Sequence, residues 1–361
     1  MKLSDYVIDF VARLGVKHAF VISGGASVHL IDSVARHPGM DYICPLHEQT
    51  GAMMADGYAR VTENFGLAIS TSGPGATNLI TGIACSWFDS IPNLFITGQV
   101  ASTRLTSDPR LRQLGFQETD IVHMVQKITK YAVQVRDPKD IRYELEKATF
   151  LAKYERPGPV LIDIPDDLQR AEVDPETLRA FTPPTPKVDT RSLEAQVETC
   201  VGLLLKAQRP LIVLGAGVTL SKSEDRALRI LRRMGIPFAP TWATLHLMEH
   251  EDPLFAGGFG ITSPRFGNFA IQNCDFLLSV VAVPFKQTTG SPLSSFARAA
   301  SKVIVDIDRA EIDKFKTQGL FIDVPVVASA SDFLAALEKR LETVDPHSYP
   351  QWLEQIATWK H

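Results

Sequence analysis

The chain is predicted to fold as two α/β domains, each a doubly wound parallel sheet with helices on both faces. Three observations predict this. Short apolar runs alternate with amphipathic stretches of helical length along nearly the whole sequence. Several runs break at small-residue turns, Ser23-Gly24-Gly25 and Ser72-Gly73-Pro74-Gly75 among them. The rhythm is interrupted once, at Thr182-Pro183-Pro184-Thr185-Pro186, and then restarts. Runs that are apolar on both faces belong in sheets buried on both sides. A chain of 361 residues also exceeds what one hydrophobic core usually serves.

In order, Ser4 can cap a first helix that carries Val7, Phe10, Val11 and Leu14 on one face and stops at Gly15. Strands follow at 19–23, 41–46, 66–72, 93–98, 131–135 and 159–165. The helices between them begin near Gly24, Gln49, Ala76, Asp120 and Pro138. Residues 171–189 have many prolines and few large apolar side chains, so they read as a linker running extended over the surface. The first domain is therefore 1–170 and the second 190–343, with 344–361 leading onward. The second domain has helices over 192–207, 225–234 and 331–341, and strands at 210–215, 237–242, 274–281, 302–308 and 324–328.

Composition excludes several classes of function. Charged residues are 22% of the chain and the net charge is -4, with no basic block to suggest nucleic acid or an anionic membrane. No run approaches the roughly 20 apolar residues of a spanning helix, and cytoplasm is the default expectation. Cys44, Cys85, Cys200 and Cys274 lack the short spacings of zinc or redox sites and read as reduced core residues.

The stretch from Cys44 to Arg60 carries the most chemistry. It sets Glu48 where an apolar strand meets a helix start. That strand is expected to be buried, so the carboxyl has few nearby waters, its neutral form is favoured, and it can share a proton with a ligand. The competing reading is a carboxylate that caps the helix beginning at Gln49. Gly24, Gly25, Gly73 and Gly75 allow backbone to approach a ligand, or simply make turns. His47 could relay protons or rest neutral on a neighbouring backbone group. Gly215-Ala216-Gly217 lacks a full dinucleotide fingerprint.

Taken together, several motifs carry a resemblance. They are His47-Glu48-Gln49, Ala55-Asp56-Gly57-Tyr58-Ala59-Arg60, Thr71 to Asn78, Asp89-Ser90-Ile91-Pro92, Ile96-Thr97-Gly98-Gln99-Val100, Phe116-Gln117-Glu118-Thr119-Asp120-Ile121 and Arg156-Pro157-Gly158-Pro159-Val160. In this order they resemble the thiamine diphosphate enzymes of the acetolactate synthase group. The insert Arg110 to Gly115 is similar to acetolactate-synthase-like enzymes of carbohydrate and secondary-metabolite pathways. The likeness continues more thinly through Asn268 to Asp275 and Val305-Asp306-Ile307-Asp308. It implies a flavodoxin-like pyrimidine-binding domain followed by a Rossmann-like central domain.

The resemblance implies roles. Glu48 would hydrogen-bond a ring nitrogen of the cofactor's aminopyrimidine, and the cofactor would act as electron sink while a 2-keto acid loses carbon dioxide. Gly24, Gly25, Ser72, Gly73, Pro74, Gly75 and Asn78 would line the pyrimidine pocket. Gln117 would face the reacting carbon, with His47 and Phe116 beside the substrate. The family's Gly-x-Arg turn, which serves a flavin, has proline at Pro284 here, which argues against FAD. Asp166 stands where the family has lysine and Ile261 where it has methionine. No Gly-Asp-Gly signature with a downstream asparagine occurs in this sequence. Magnesium and its ligands are therefore expected on a diphosphate-binding domain, in a separate chain or a longer polypeptide, and this chain alone should not turn over. A homo-oligomer, dimer or tetramer, is also expected. The alternatives are a non-catalytic binding or scaffolding subunit that keeps the fold, or a flavin- or nucleotide-binding module.

Overall fold

The computed structural model describes residues 1–108, 110–185, 189–282 and 286–360, with Lys286 and Gln287 as backbone only. It divides into two compact units, Met1–Thr185 and Pro186–His361. Each unit is built on one all-parallel sheet.

In the first unit, strands β1 (His18–Val21), β2 (Asp41–Ile43), β3 (Gly66–Ser70), β4 (Asn93–Gln99), β5 (Tyr131–Gln134) and β6 (Val160–Pro165) lie in the order β2-β1-β3-β4-β6-β5. The helices are α1 (Leu3–Arg13), α2 (Val28–Arg36), α3 (Glu48–Thr62), α4 (Pro74–Asn78), α5 (Ile80–Asp89), α6 (Ile121–Val125), α7 (Ile141–Lys153) and α8 (Asp166–Gln169). Strand side chains alternate between two cores. Leu67, Ile69, Leu94, Ile96, Ile162 and Ile164 join Leu3, Val7 and Leu145 on one face. Ala68, Phe95 and Leu161 join Ala52, Ala55 and Ile83 on the other, as a period of two requires.

On this face glycine and alanine stand where α3 meets the sheet and α5, and so the helix sits very close to both. A Cβ at Gly66 would lie 2.0 Å from the Ala55 carbonyl oxygen, and one at Gly82 2.3 Å from the Ala52 methyl. This close packing fixes the start of α3, where Glu48 stands.

The second unit orders β7 (Pro210–Leu214), β8 (Phe238–Pro240), β9 (Phe276–Val280), β10 (Ser301–Asp306) and β11 (Val324–Val327) as β11-β10-β9-β7-β8. Its helices include α9 (Thr190–Leu204), α10 (Ala216–Leu220), α11 (Glu224–Met234), α12 (Arg265–Asn273), α13 (Lys286–Thr289), α14 (Arg309–Asp313), α15 (Ala330–Leu341) and α16 (Pro350–Lys360). Among the described residues no helix is long and apolar enough to cross a membrane.

Several local expectations are corrected. Ser4 does not cap α1; it is buried inside the helix and its hydroxyl accepts from Ser33 Oγ at 2.9 Å. The strand before Glu48 is shorter than predicted and is exposed along its length, because β2 is a sheet edge left uncovered in this chain. Residues 171–181 do not run free over the surface. Val173 and Leu178 are buried, Met1 and Val173 exchange backbone hydrogen bonds, and Phe181 N–H donates to Glu146. The stretch 344–361 contains α16, where Trp352 and Ile356 are buried and the Trp352 indole donates to the Pro210 carbonyl at 3.0 Å. Cys200 and Cys274 are buried as predicted, whereas Cys44 and Cys85 are exposed, and all four are free.

Candidate active site

The strand order reverses around β1: the chain leaves it for β2 on one side and returns to β3 on the other. Ligands of open parallel sheets gather at such a switch point, beyond the carboxyl ends of the strands. Here the turn after β1 meets the turn after β3. A Cβ at Gly24 would lie 2.4 Å from Thr71 Cβ, and the Ala26 N–H donates to Thr71 Oγ1 at 3.2 Å. Gly24 is therefore required by the fold. Gly25 is exposed and has no atom within 4 Å of a built Cβ, so nothing in the chain itself demands glycine there.

Glu48 is the first residue of α3. His47 caps that helix, its Nδ1 accepting the Gln49 N–H at 3.1 Å. The histidine thus takes the backbone-bonded role and not one in contact with Glu48's carboxyl. Glu48 Oε2 accepts from Asn78 Nδ2 at 2.8 Å, and Oε1 lies 3.4 Å from where a Gly75 Cβ would sit. The expected full burial is not found. Glu48 is half-buried, because the strand before it is an exposed edge.

Gly73 has φ +62°, which only glycine adopts readily. It caps α4 ahead of the exposed Pro74, and Ser72 and Gly75 are buried around it. The close neighbour across this turn is Gln117: a Gly73 Cβ would lie 2.7 Å from Gln117 Cβ. Glu48, Gly73, Gly75, Asn78 and Gln117 are therefore drawn into one neighbourhood through the α4 turn. Phe116 stands 80% exposed. The Gly-x-Arg position, Pro284, lies outside the described residues.

The structure adds residues that sequence reasoning passed over. Glu118 gathers the loop before α6 by accepting from the Thr106 and Leu114 N–H groups, each at 2.7 Å, and from Gly115 at 3.3 Å. Gln169, fully buried, donates to the Ala26 carbonyl at 2.7 Å and to Ile164 at 2.8 Å, pinning the Gly24 turn. Asp163 is a buried acid inside β6. Burial pushes its carboxyl up to about 6, against hydrogen bonds from Gln134, Thr97 and Gln99 that pull it down. A lone acid in Val160-Leu161-Ile162-Asp163-Ile164 was the available signal.

The sign for Asp163 follows from its value. The folded chain holds this proton more tightly than the unfolded one, whose reference is 3.8. The group's contribution to stability is thus complete below about pH 4 and lost as pH rises through about 6. Neutral pH is expected to leave on the order of 3 kcal/mol of desolvation uncompensated. Urea unfolding of the wild type against Asp163→Asn should show the wild type gaining relative stability as pH falls from about 7 to about 4. Asp120 is the charged neighbour that also raises the group. A difference that stays flat with pH would contradict this.

Comparison with known proteins assigns both units to a family. The family model described as "Thiamine pyrophosphate enzyme, N-terminal TPP binding domain" matches residues 1–124, and the corresponding central-domain model matches 197–337. Acetolactate synthase large subunit from Cyanidium caldarium is 32% identical over 98% of this chain and 60% of its own length. The chloroplastic acetolactate synthase of Arabidopsis thaliana is 34% identical over 94% of this chain and 50% of its own. Acetolactate synthase isozyme 2 large subunit from Escherichia coli (strain K12) is 34% identical over 100% of this chain and 63% of its own. The chain therefore spans between half and two thirds of the length of these relatives. It belongs to the thiamine pyrophosphate enzymes, of which it carries the N-terminal TPP binding and central domains, and is similar to acetolactate synthase large subunits.

Proposed function

We propose that the chain supplies the pyrimidine half of the active site of a thiamine diphosphate-dependent enzyme. That enzyme decarboxylates a 2-keto acid and ligates the resulting aldehyde equivalent to an acceptor. The observation that carries the reading is the Glu48 carboxyl, with one oxygen held by Asn78 and the other beside Gly75.

An aminopyrimidine fits that donor set. It needs one acid at a ring nitrogen, and glycine backbone leaves room for a flat ring. When bound, the cofactor supplies the electron sink for the keto acid's carbonyl carbon. Asn78 fixes Oε2 and so aims Oε1, and Glu48 gives and retrieves a proton at the ring nitrogen. Gly24, Gly25, Ser72, Gly73, Pro74 and Gly75 line the ring's side of the site. Gln117 offers an amide to the reacting carbonyl from above the Gly73 turn, with Phe116 and His47 at the substrate's edge.

Magnesium and the diphosphate are assigned to a further domain on a separate chain or in a longer polypeptide, and no flavin is assigned. A homo-oligomer is supported by the exposed apolar side chains along β2, the turn after it, α3 and α5: Tyr42, Ile43, Leu46, Met53, Trp87 and Phe88. A reducing, cytoplasmic setting suits four free cysteines.

Thiamine diphosphate and magnesium titrated into the chain, alone and with a diphosphate-binding domain, test the reading. Binding should tighten roughly 100-fold or more when both halves are present, and pyruvate, as probe, should then release carbon dioxide. If no such domain restores binding, the chain is a non-catalytic scaffold.

A further inference from the structure

The carboxyl end of the first sheet holds a polar cluster for which the proposed chemistry has no use. Asp163 is 1% exposed. Its Oδ1 accepts from Thr97 Oγ1 at 2.6 Å, and its Oδ2 from Gln99 Nε2 at 3.1 Å and Gln134 Nε2 at 2.9 Å. Three adjacent strands, β4, β6 and β5, thus converge on one acid. Burying an acid is costly unless it is fully bonded, and an apolar residue would fill this place in the core without that cost.

Gln99 reaches beyond the cluster. It is 1% exposed, and its Oε1 accepts the Val100 N–H at 3.0 Å. Its Nε2 donates both to Asp163 and to the Thr119 carbonyl, the latter at 2.8 Å. That carbonyl also accepts the Ile121 N–H at 2.9 Å, at the start of α6. Two residues earlier, Gln117 has φ +59°, a conformation that disfavours any residue with a side chain and persists only when its surroundings hold it.

We propose that Asp163 is a positioning residue that acts through Gln99 to fix the loop 115–121 and so hold Gln117 over the Gly73 turn. A carboxylate is acceptor-only, so it receives both glutamine amides at once and leaves the second Gln99 hydrogen free for Thr119. A leucine at 163 would take away the shared acceptor and break the relay, whereas an asparagine can keep its carbonyl oxygen under both amides and turn its NH2 to the Thr97 hydroxyl. The consequence for catalysis rests on the proposed role of Gln117; the positioning does not.

Amide hydrogen exchange on the full chain tests the positioning. Gln99→Met keeps length and apolar burial but removes the bridge. It is expected to speed exchange at 117–121 by roughly tenfold or more, with 94–97 and 160–164 changed less than about twofold. Asp163→Leu should loosen the same segment, and the double variant should be about as loose as the looser single, because both cut one chain of bonds. Unchanged exchange at 117–121 in folded Gln99→Met, or equal loosening of sheet and loop, overturns the proposal. Turnover in the complete enzyme judges the reading beneath it. A kcat lowered roughly tenfold in Gln99→Met, with KM nearly constant, supports both. If Gln117→Ala leaves kcat intact while the loop still loosens in Gln99→Met, the role of Gln117 fails and the positioning stands.

Discussion

Replacing Glu48 with glutamine should lower 2-keto acid turnover of the complete enzyme by roughly 10²–10⁴-fold, the usual span for removing a positioned acid or base. The fold should be nearly indifferent to the change. Glutamine has the same shape and a similar helix preference, and its carbonyl can still accept from Asn78. The site is half-buried at a helix start, where such a swap costs within about 0.5 kcal/mol. What is lost is a group that can both give a proton to a ring nitrogen and take it back. Steady-state rates at saturating thiamine diphosphate, with circular dichroism as the fold control, measure this. Turnover within a few-fold of wild type would remove Glu48 from the mechanism.

Gly98→Ala should damage the site through the backbone. A methyl at this β4 position would lie 1.9 Å from the Ala26 carbonyl oxygen, 2.4 Å from its carbon and 2.8 Å from the Ser27 nitrogen. None of these is a flexible side-chain end. Gln169 and Thr71 hold the same turn from two other directions, so either the turn or the strand must move. Overpacking of this kind costs about 1–3 kcal/mol, occasionally more. Because Gly24 moves with the turn, cofactor affinity should fall as well. Gly25→Ala is the matched control: with no atom within 4 Å of its Cβ, stability should stay within about 0.5 kcal/mol. Urea unfolding and thiamine diphosphate binding on both variants separate a turn displaced by its own fold from a turn blocked only toward ligand.

The fold was legible where local and global signals agree. Every predicted strand exists, because Leu67, Ile96 or Ile162 can be buried only in a sheet covered on both faces. Glu48, Gly73 and Gly75 were legible because a strand-to-helix acid and a glycine turn are local patterns. Exposure was not legible. Asp41 to Leu46 reads as a strand, but only the sheet order makes β2 an edge. Long-range polar pairs were equally hidden. Gln99 meets Asp163 across 64 positions, and Gln169 meets Ala26 across 143, so neither spacing carries a signal. Val173 and Leu178 were misread because the prolines near them outweighed two isolated apolar residues whose partners lie in the first domain's core.

In the proposed function, Glu48 moves the proton that makes the bound cofactor reactive. Deuterium exchange at the thiazolium carbon of thiamine diphosphate, bound to the complete enzyme, reads that step without substrate or product release. Exchange should be slowed by roughly 100-fold or more in Glu48→Gln, with cofactor occupancy unchanged. Equal exchange in wild type and variant, at equal occupancy, would contradict it.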